Sequence, residues 1–186
     1  SNRKDMKQRK KLLILPAVAV LLGMGTGCSD NIENKAQDMA KKALMASVDN
    51  PESVKFVGIS KPDSVFGREY VTMKEKMALS VAMMKISRRF MEDTDFDNPN
   101  VECHGMSGQM KRQMDAMTAL RSLMVTEELN TAGDEASLER KPFSGWKVKV
   151  EYEATDSDGQ PYRSEYWFIM DKEAQCVIRS FEIPLL

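Results

Sequence analysis

The chain has 186 residues, enough for one domain of ordinary size, and a formal charge of −1 at pH 7. The first 27 residues carry six basic side chains and one acid, which leaves the remainder with 21 basic against 27 acidic residues and a formal charge of −6. Such an acidic domain lacks the clustered Lys and Arg that neutralise phosphates, so we exclude nucleic acid as a partner. Charge alone also gives it no affinity for anionic lipid.

The N-terminal region has the three parts of a secretory signal. Residues 6–11 begin at a Met and are mostly basic, residues 12–22 are an apolar run interrupted by one proline, and small residues precede Cys28. An apolar run of this length is too short to cross a hydrocarbon core of about 30 Å as a helix. The pattern therefore favours a signal peptide over a transmembrane helix. Residues 1–5 precede the Met, and we treat them as upstream of the signal.

The residues before Cys28 resemble the lipobox of bacterial lipoproteins. Thr26 and Gly27 match the small residues of that motif, whereas Gly25 stands where Leu is usual, as in the relaxed motif of Bacteroidota-type lipoproteins. The resemblance implies that a diacylglyceryl group is added to Cys28 and that the signal is cut just before it. A plain signal peptide cut elsewhere and an uncut N-terminal anchor are the alternatives.

This interpretation divides the chain into three parts: a signal peptide over residues 1–27, a lipidated polar tether over residues 28–34, and a single α+β domain over residues 35–186. Acyl chains bury many methylene groups at about 0.8 kcal/mol each, so lipid on Cys28 would hold the domain on a membrane. The predicted location is the cell envelope, on the outer membrane or another membrane that faces the periplasm.

Three helices are predicted from apolar residues at spacings of three and four. The first ends at Asn50-Pro51, because proline disfavours helix in the residue before it. The second covers residues 72–91 and is predicted to be largely buried, since its apolar residues fill more than half of its circumference. The third covers residues 106–129. The second helix has two apolar stripes: Met73, Met77, Val81, Met84 and Met91 on one side, and Leu79, Met83, Ile86 and Phe90 on the other.

Strands are predicted before the second helix and after the third. Residues 54–60 and 65–71 are short candidates. The clearest strand alternates Trp146, Val148, Val150 and Tyr152 with charged residues, and strands over residues 162–170 and 176–183 follow it. The sequence thus predicts an α+β fold in which three helices pack on an antiparallel sheet that ends in a three-stranded C-terminal meander. We expect the helices to cover one face of the sheet and water to cover the other.

Two segments of the domain resemble small uncharacterised bacterial envelope lipoproteins. One is the helix-to-strand junction at residues 49–56, and the other is the closing meander, with Gly145-Trp146 at a strand start and Asp158-Gly159 at a turn. The resemblance implies architecture and not activity. A sheet wrapped on helices, as in NTF2-like or cystatin-like domains, is one shape that would fit.

The thiols and the single histidine suggest few chemical sites. Cys103 and Cys176 remain once Cys28 is acylated, and an oxidising compartment would permit a disulfide between them. The alternative is that Cys176 packs in the sheet and Cys103 is free. His104 is the only histidine, and it lacks the ligand spacing of a zinc site. We therefore predict no metal and no cofactor, and we interpret the acidic residues around Asp95 as a solvated loop.

Aromatic residues mark the predicted sheet. Trp167 and its neighbour Tyr166 point to opposite faces of the sheet. If one of these faces is exposed, its aromatic residue would be a candidate contact for a partner protein or a sugar. Ordinary packing within the sheet is the simpler interpretation. We treat Trp167 as a candidate surface aromatic.

The functional hypotheses follow from the anchor and from the absence of a catalytic constellation in the sequence. The first is a membrane-anchored, extracytoplasmic lipoprotein with a non-enzymatic binding or interaction domain. The second is a ligand carrier or an enzyme with a pocket between helices and sheet, lined by tyrosines and carboxylates. The third is a structural subunit that binds another envelope protein. A cavity with convergent polar groups would favour the second hypothesis over the first.

Overall fold

A computed structural model of the chain describes residues 27–93, 107–132 and 141–186. Within them, the helices and strands follow the predicted order. They are α1 (Gly27–Ser47), β1 (Lys55–Ile59), β2 (Asp63–Phe66), α2 (Met73–Asp93), α3 (Gly108–Ala132), β3 (Phe143–Thr155), β4 (Pro161–Met170) and β5 (Val177–Pro184). The predicted α+β class is confirmed.

The strands form one antiparallel sheet with β3 at its centre. β3 pairs with β4 and β4 pairs with β5, which confirms the C-terminal meander. β1 and β2 share the other edge of β3: β1 pairs with residues 150–153 and β2 with residues 143–147. The long strand β3 is therefore hydrogen-bonded along both edges.

Helices cover both faces of the sheet, so the prediction of one solvent-exposed face is wrong. On the first face, small residues of α1 allow a close approach to β3 and β4; this cluster includes Ala36, Ala40, Leu44, Val148, Val150, Tyr152 and Phe168. On the second face, α2 and α3 pack on β4 and β5; this cluster includes Leu79, Ile86, Leu120, Leu123, Trp167, Ile169, Phe181 and Ile183. The charged residues of β3 indicated a wet face, but β4 and β5 supply apolar residues to the same face.

Helix α1 begins earlier than predicted. The sequence suggested a polar tether over residues 28–34, whereas the helix already starts at Gly27. Ile32 is partly buried and packs against the cluster beneath α1, which gives this first part of the helix a contact with the domain.

Only one of the two apolar stripes of α2 is buried. Leu79 and Ile86 are in the core, whereas Met73, Met77 and Met84 are 72%, 67% and 63% exposed. The prediction that this helix is largely buried is therefore wrong. Helix α2 packs against the sheet and α3 on one side only, and its second stripe is left at the surface.

The start of α2 is fixed by a capping box and by two lysines from the sheet. The Thr72 backbone N–H donates to Glu75 Oε2 at 2.8 Å, and the Glu75 N–H donates back to Thr72 Oγ1 at 3.2 Å. The same carboxylate accepts hydrogen bonds from Lys147 Nζ at 2.6 Å and lies 2.7 Å from Lys149 Nζ. Glu75 thus joins the helix to β3.

Candidate functional site

A polar cavity of about 310 Å³ lies where α1 ends above the sheet. The last residues of α1 and the loop after it form one wall, the first half of α3 forms a second wall, and β3, β4 and β5 form the floor. Six side chains give the cavity its chemical character: Asp49, Arg112, Tyr152, Tyr162, Tyr166 and Glu182.

Strand pairing brings the three tyrosines and the glutamate to one face. Tyr152 in β3 is paired with Ser164 in β4, which lies between Tyr162 and Tyr166 in sequence. Tyr166 is paired with Glu182 in β5. Because alternate residues of a strand share a face, these four side chains all point toward the cavity side of the sheet.

Arg112 is the centre of the site. Its guanidinium carbon lies 3.4 Å from the centroid of the Tyr162 ring. Its Nε atom is 3.7 Å from Glu182 Oε1, and its Nη2 atom is 3.9 Å from Asp156 Oδ2. The Tyr152 hydroxyl donates to the same Glu182 oxygen at 2.9 Å. The guanidinium is therefore held by an aromatic ring and two carboxylates.

The turn between β3 and β4 positions the start of α3 and, with it, Arg112. Asp156 is 5% exposed, and its Oδ1 atom accepts hydrogen bonds from the backbone N–H groups of Asp158 and Gln160. Asp158 Oδ2 then accepts a hydrogen bond at 3.0 Å from the N–H of Gly108, the first residue of α3. The turn predicted at Asp158-Gly159 is present, and it ties α3 to the sheet.

The tyrosines stay protonated at neutral pH. Burial, and after it the Glu182 carboxylate, raise the pKa of the Tyr152 hydroxyl. Burial is also the largest cause that raises the pKa of Tyr162 and of Tyr166. The hydroxyl groups that line the cavity are therefore neutral, and the buried hydroxyl of Tyr152 already donates its hydrogen to Glu182.

A second cavity of about 300 Å³ shares Arg112 and Tyr162 with the first. Arg89, Arg163 and the residues after β5 line it. The stacked Arg112–Tyr162 pair thus forms a common wall between the two cavities.

Trp167 is not a surface residue, contrary to the role considered for it. It is 4% exposed. The centroid of its ring lies 4.0 Å from Lys149 Nζ and 5.2 Å from the centroid of the Phe181 ring. Its indole N–H donates to Glu165 at 2.6 Å. The helices on the second face of the sheet cover it.

The predicted thiol sites are only partly described. Cys28 lies in the first turn of α1, and its lipidation stays a prediction. Cys176 is exposed just before β5 and forms no disulfide with the described part of the chain. Cys103 lies outside the described residues, so the Cys103–Cys176 pairing is also still a prediction. His104 and Asp95 lie outside the described residues as well.

Residues 27–93, 107–132 and 141–186 contain neither a metal-binding cluster nor a membrane-spanning helix. No group of three or more His, Cys, Asp or Glu side chains in these ranges could hold a metal ion. No described helix is both long enough and apolar enough to span a membrane.

The sequence pointed to the tyrosines but not to their charged partners. Alternation in β3 and β4 placed aromatic residues on one face, and tyrosines with carboxylates were the expected lining of a pocket. Arg112, Glu182 and Asp49 were not singled out, because their proximity depends on how α3 and α1 pack on the sheet. Comparison with protein-family models, curated proteins and solved structures found no match to this chain.

Proposed function

We propose that this protein is a lipid-anchored, extracytoplasmic lipoprotein whose domain binds a small polar ligand in the cavity beside Arg112. One observation carries the ligand-binding part: tyrosine hydroxyls, a guanidinium and carboxylates converge on one cavity of about 310 Å³. A concave site with a few converging polar groups is typical of small-molecule binding. The domain acts by binding and not by catalysis in this proposal.

The cavity supports the ligand-carrying hypothesis over a domain that only presents a surface. Tyr152, Tyr162 and Arg112 are held by contacts within the protein before any ligand arrives. Side chains that are already ordered lose little conformational freedom on binding, which favours affinity. An NTF2-like or cystatin-like relationship stays a prediction.

The anchor part of the proposal rests on the sequence around Cys28. A basic segment, a short apolar run and small residues before the cysteine are the features of a lipoprotein signal. Lipid on Cys28 would join the membrane to the start of α1, and the cavity lies at the other end of the same helix. The ligand site would then be held away from the lipid by the length of α1.

The anchor is tested by metabolic labelling. Cells supplied with labelled palmitate should label the protein, and Cys28→Ser should abolish the label because the thiol that carries the lipid is gone. Cys176→Ser is the matched control, since it removes an exposed thiol of the domain, and it should keep the label. A labelled Cys28→Ser protein would contradict the anchor.

The ligand site is tested by filling the cavity. Ser180 lies on β5 and lines the cavity, whereas Ile178 on the same strand is exposed and does not line it. We expect small polar molecules that raise the melting temperature of the wild-type domain to lose this effect in Ser180→Trp and keep it in Ile178→Trp. Equal shifts in both variants would place the binding elsewhere, and a screen without any stabilising compound would count against a ligand site.

A further inference from the structure

We propose that the ligand of this cavity is a small organic cation that carries an ammonium or a guanidinium group. The inference rests on the proposed function and adds the chemical class of the ligand. It follows from the charges that line the cavity, from the environment that already surrounds Arg112, and from the effect of Glu182 on the tyrosines.

The first argument is the balance of charge. Asp49, Asp115 and Glu182 line the cavity, against the two cations Lys111 and Arg112. The Arg112 guanidinium also lies 3.9 Å from Asp156, a buried carboxylate behind it. Carboxylates therefore outnumber cations around the space that a ligand would enter, and a positive charge would be attracted to it.

The second argument is that the site already holds one cation. Arg112 lies over the Tyr162 ring at 3.4 Å and within 4 Å of the Glu182 and Asp156 carboxylates. An aromatic face combined with carboxylates is the environment that stabilises ammonium and guanidinium groups. Tyr166, which is partly exposed and is paired with Glu182, continues the same combination into the open part of the cavity, whereas Tyr152 is fully buried beneath it.

The third argument is the effect of Glu182 on its neighbours. After burial, which is the largest cause, the Glu182 carboxylate raises the pKa of Tyr152, Tyr162 and Tyr166. On Tyr162, Asp49 also raises the pKa, while Arg112 lowers it, so the negative field is least opposed at Tyr152 and Tyr166. A field that opposes a negative tyrosinate favours a positive ligand at the same place.

An anionic ligand fits less well. The charge of Arg112 is offset by Asp156 and Glu182. The other cation, Lys111, is exposed, and so are the two carboxylates Asp49 and Asp115, which outnumber it. A ligand carboxylate placed over the tyrosines would also approach Glu182, and like charges in a partly buried site repel each other.

Three four-carbon probes that differ in charge test the inference by isothermal titration calorimetry. They are putrescine, which is a diammonium ion, the neutral 1,4-butanediol and the dianion succinate; agmatine adds a guanidinium group. We expect the two cations to bind the full domain one to one, and the neutral and anionic probes to bind much more weakly.

Two variants that each remove one carboxylate, one at the cavity and one away from it, test the contribution of charge. Asp115→Asn removes an exposed carboxylate of the cavity and should weaken putrescine binding about fivefold, the upper end for a solvent-accessible charge pair. Asp38→Asn removes an exposed carboxylate of α1 that does not line the cavity, and it should leave the affinity unchanged.

Failure of this inference and failure of the ligand site can be told apart. Succinate or butanediol binding at least as tightly as putrescine, no binding of either cation, or an Asp115→Asn affinity equal to that of wild type would each overturn the cationic class. If the preferred probe is neutral or anionic and is lost in Ser180→Trp, the cavity is still a ligand site. Cation binding that survives in Ser180→Trp would contradict both proposals.

Discussion

Gly145→Ala is expected to abolish the stable fold. A Cβ atom at this position in β3 would lie 1.9 Å from the carbonyl oxygen of Met170, well inside the contact distance of two non-bonded atoms. The obstructing atom belongs to the backbone of β4, so it cannot turn aside as a side chain would. β3 and β4, the two inner strands of the sheet, would have to separate at the end of their pairing where β4 stops, and we expect a loss of more than about 4 kcal/mol in the free energy of unfolding.

A second glycine provides the control for this prediction. Gly58 lies in β1, and a Cβ atom there would meet no other atom within 4 Å. Gly58→Ala should therefore change the free energy of unfolding by no more than about 1 kcal/mol. Urea denaturation followed by circular dichroism measures both variants, and a Gly145→Ala protein with the wild-type midpoint would show that the sheet tolerates a methyl group there.

Acidification is expected to destabilise the domain through Glu75. Burial by itself would raise the pKa of this carboxylate, but hydrogen bonds from Lys147 and Lys149 and from the Thr72 N–H outweigh it and lower the pKa from 4.5 to about 2. A carboxylate with a lowered folded-state pKa stabilises the folded protein above its unfolded pKa, and this contribution is lost as the pH falls toward the folded value. Between about pH 5 and pH 2 the loss should amount to about 3 kcal/mol.

Glu75→Gln tests the same contribution at neutral pH. The variant would leave Lys147, which is 3% exposed, without its carboxylate partner. Removing one partner of a buried ion pair costs about 3–5 kcal/mol. The variant should also lose the part of the acid sensitivity that Glu75 provides, because the titrating group is gone.

Glu69→Gln is the matched control for Glu75→Gln. Glu69 pairs with Lys141 at 2.8 Å, but the two side chains are 33% and 29% exposed, so the expected loss is below about 1 kcal/mol. Both variants can be followed by thermal and urea unfolding from pH 7 to pH 2. The role assigned to Glu75 would be contradicted if both variants lost the same free energy of unfolding. It would also be contradicted if Glu75→Gln lost as much stability between about pH 5 and pH 2 as the wild type.

The order of helices and strands could be predicted because each has a local period. Trp146, Val148, Val150 and Tyr152 alternate with charged residues, and all of them lie in β3 on the face that packs against α1. The sequence also contains a local signal that the second face of the sheet is covered, although the prediction did not use it. The run from Trp167 to Met170 is buried throughout, and a continuous apolar run is typical of a strand that is covered on both faces.

Which apolar residues a neighbour covers could not be predicted from the period alone. Helix α2 has apolar residues on two sides, and only the packing of α3 and the sheet decides that Leu79 is buried and Met77 is exposed. The same limit applied to the candidate site. Arg112 and Glu182 are 70 residues apart in the chain, and only the packing of α3 against β5 brings them together.

The central place of β3 has a consequence for how the chain folds. The partners of β1 and β2 in the sheet lie more than 75 residues further along the sequence. While the chain is made, these two strands leave the ribosome with no partner to pair with, and the entropic cost of closing so long a loop is met only when β3 arrives. Assembly of the sheet should therefore follow synthesis of the C-terminal region, and it should be slow compared with the folding of a helical bundle of similar size.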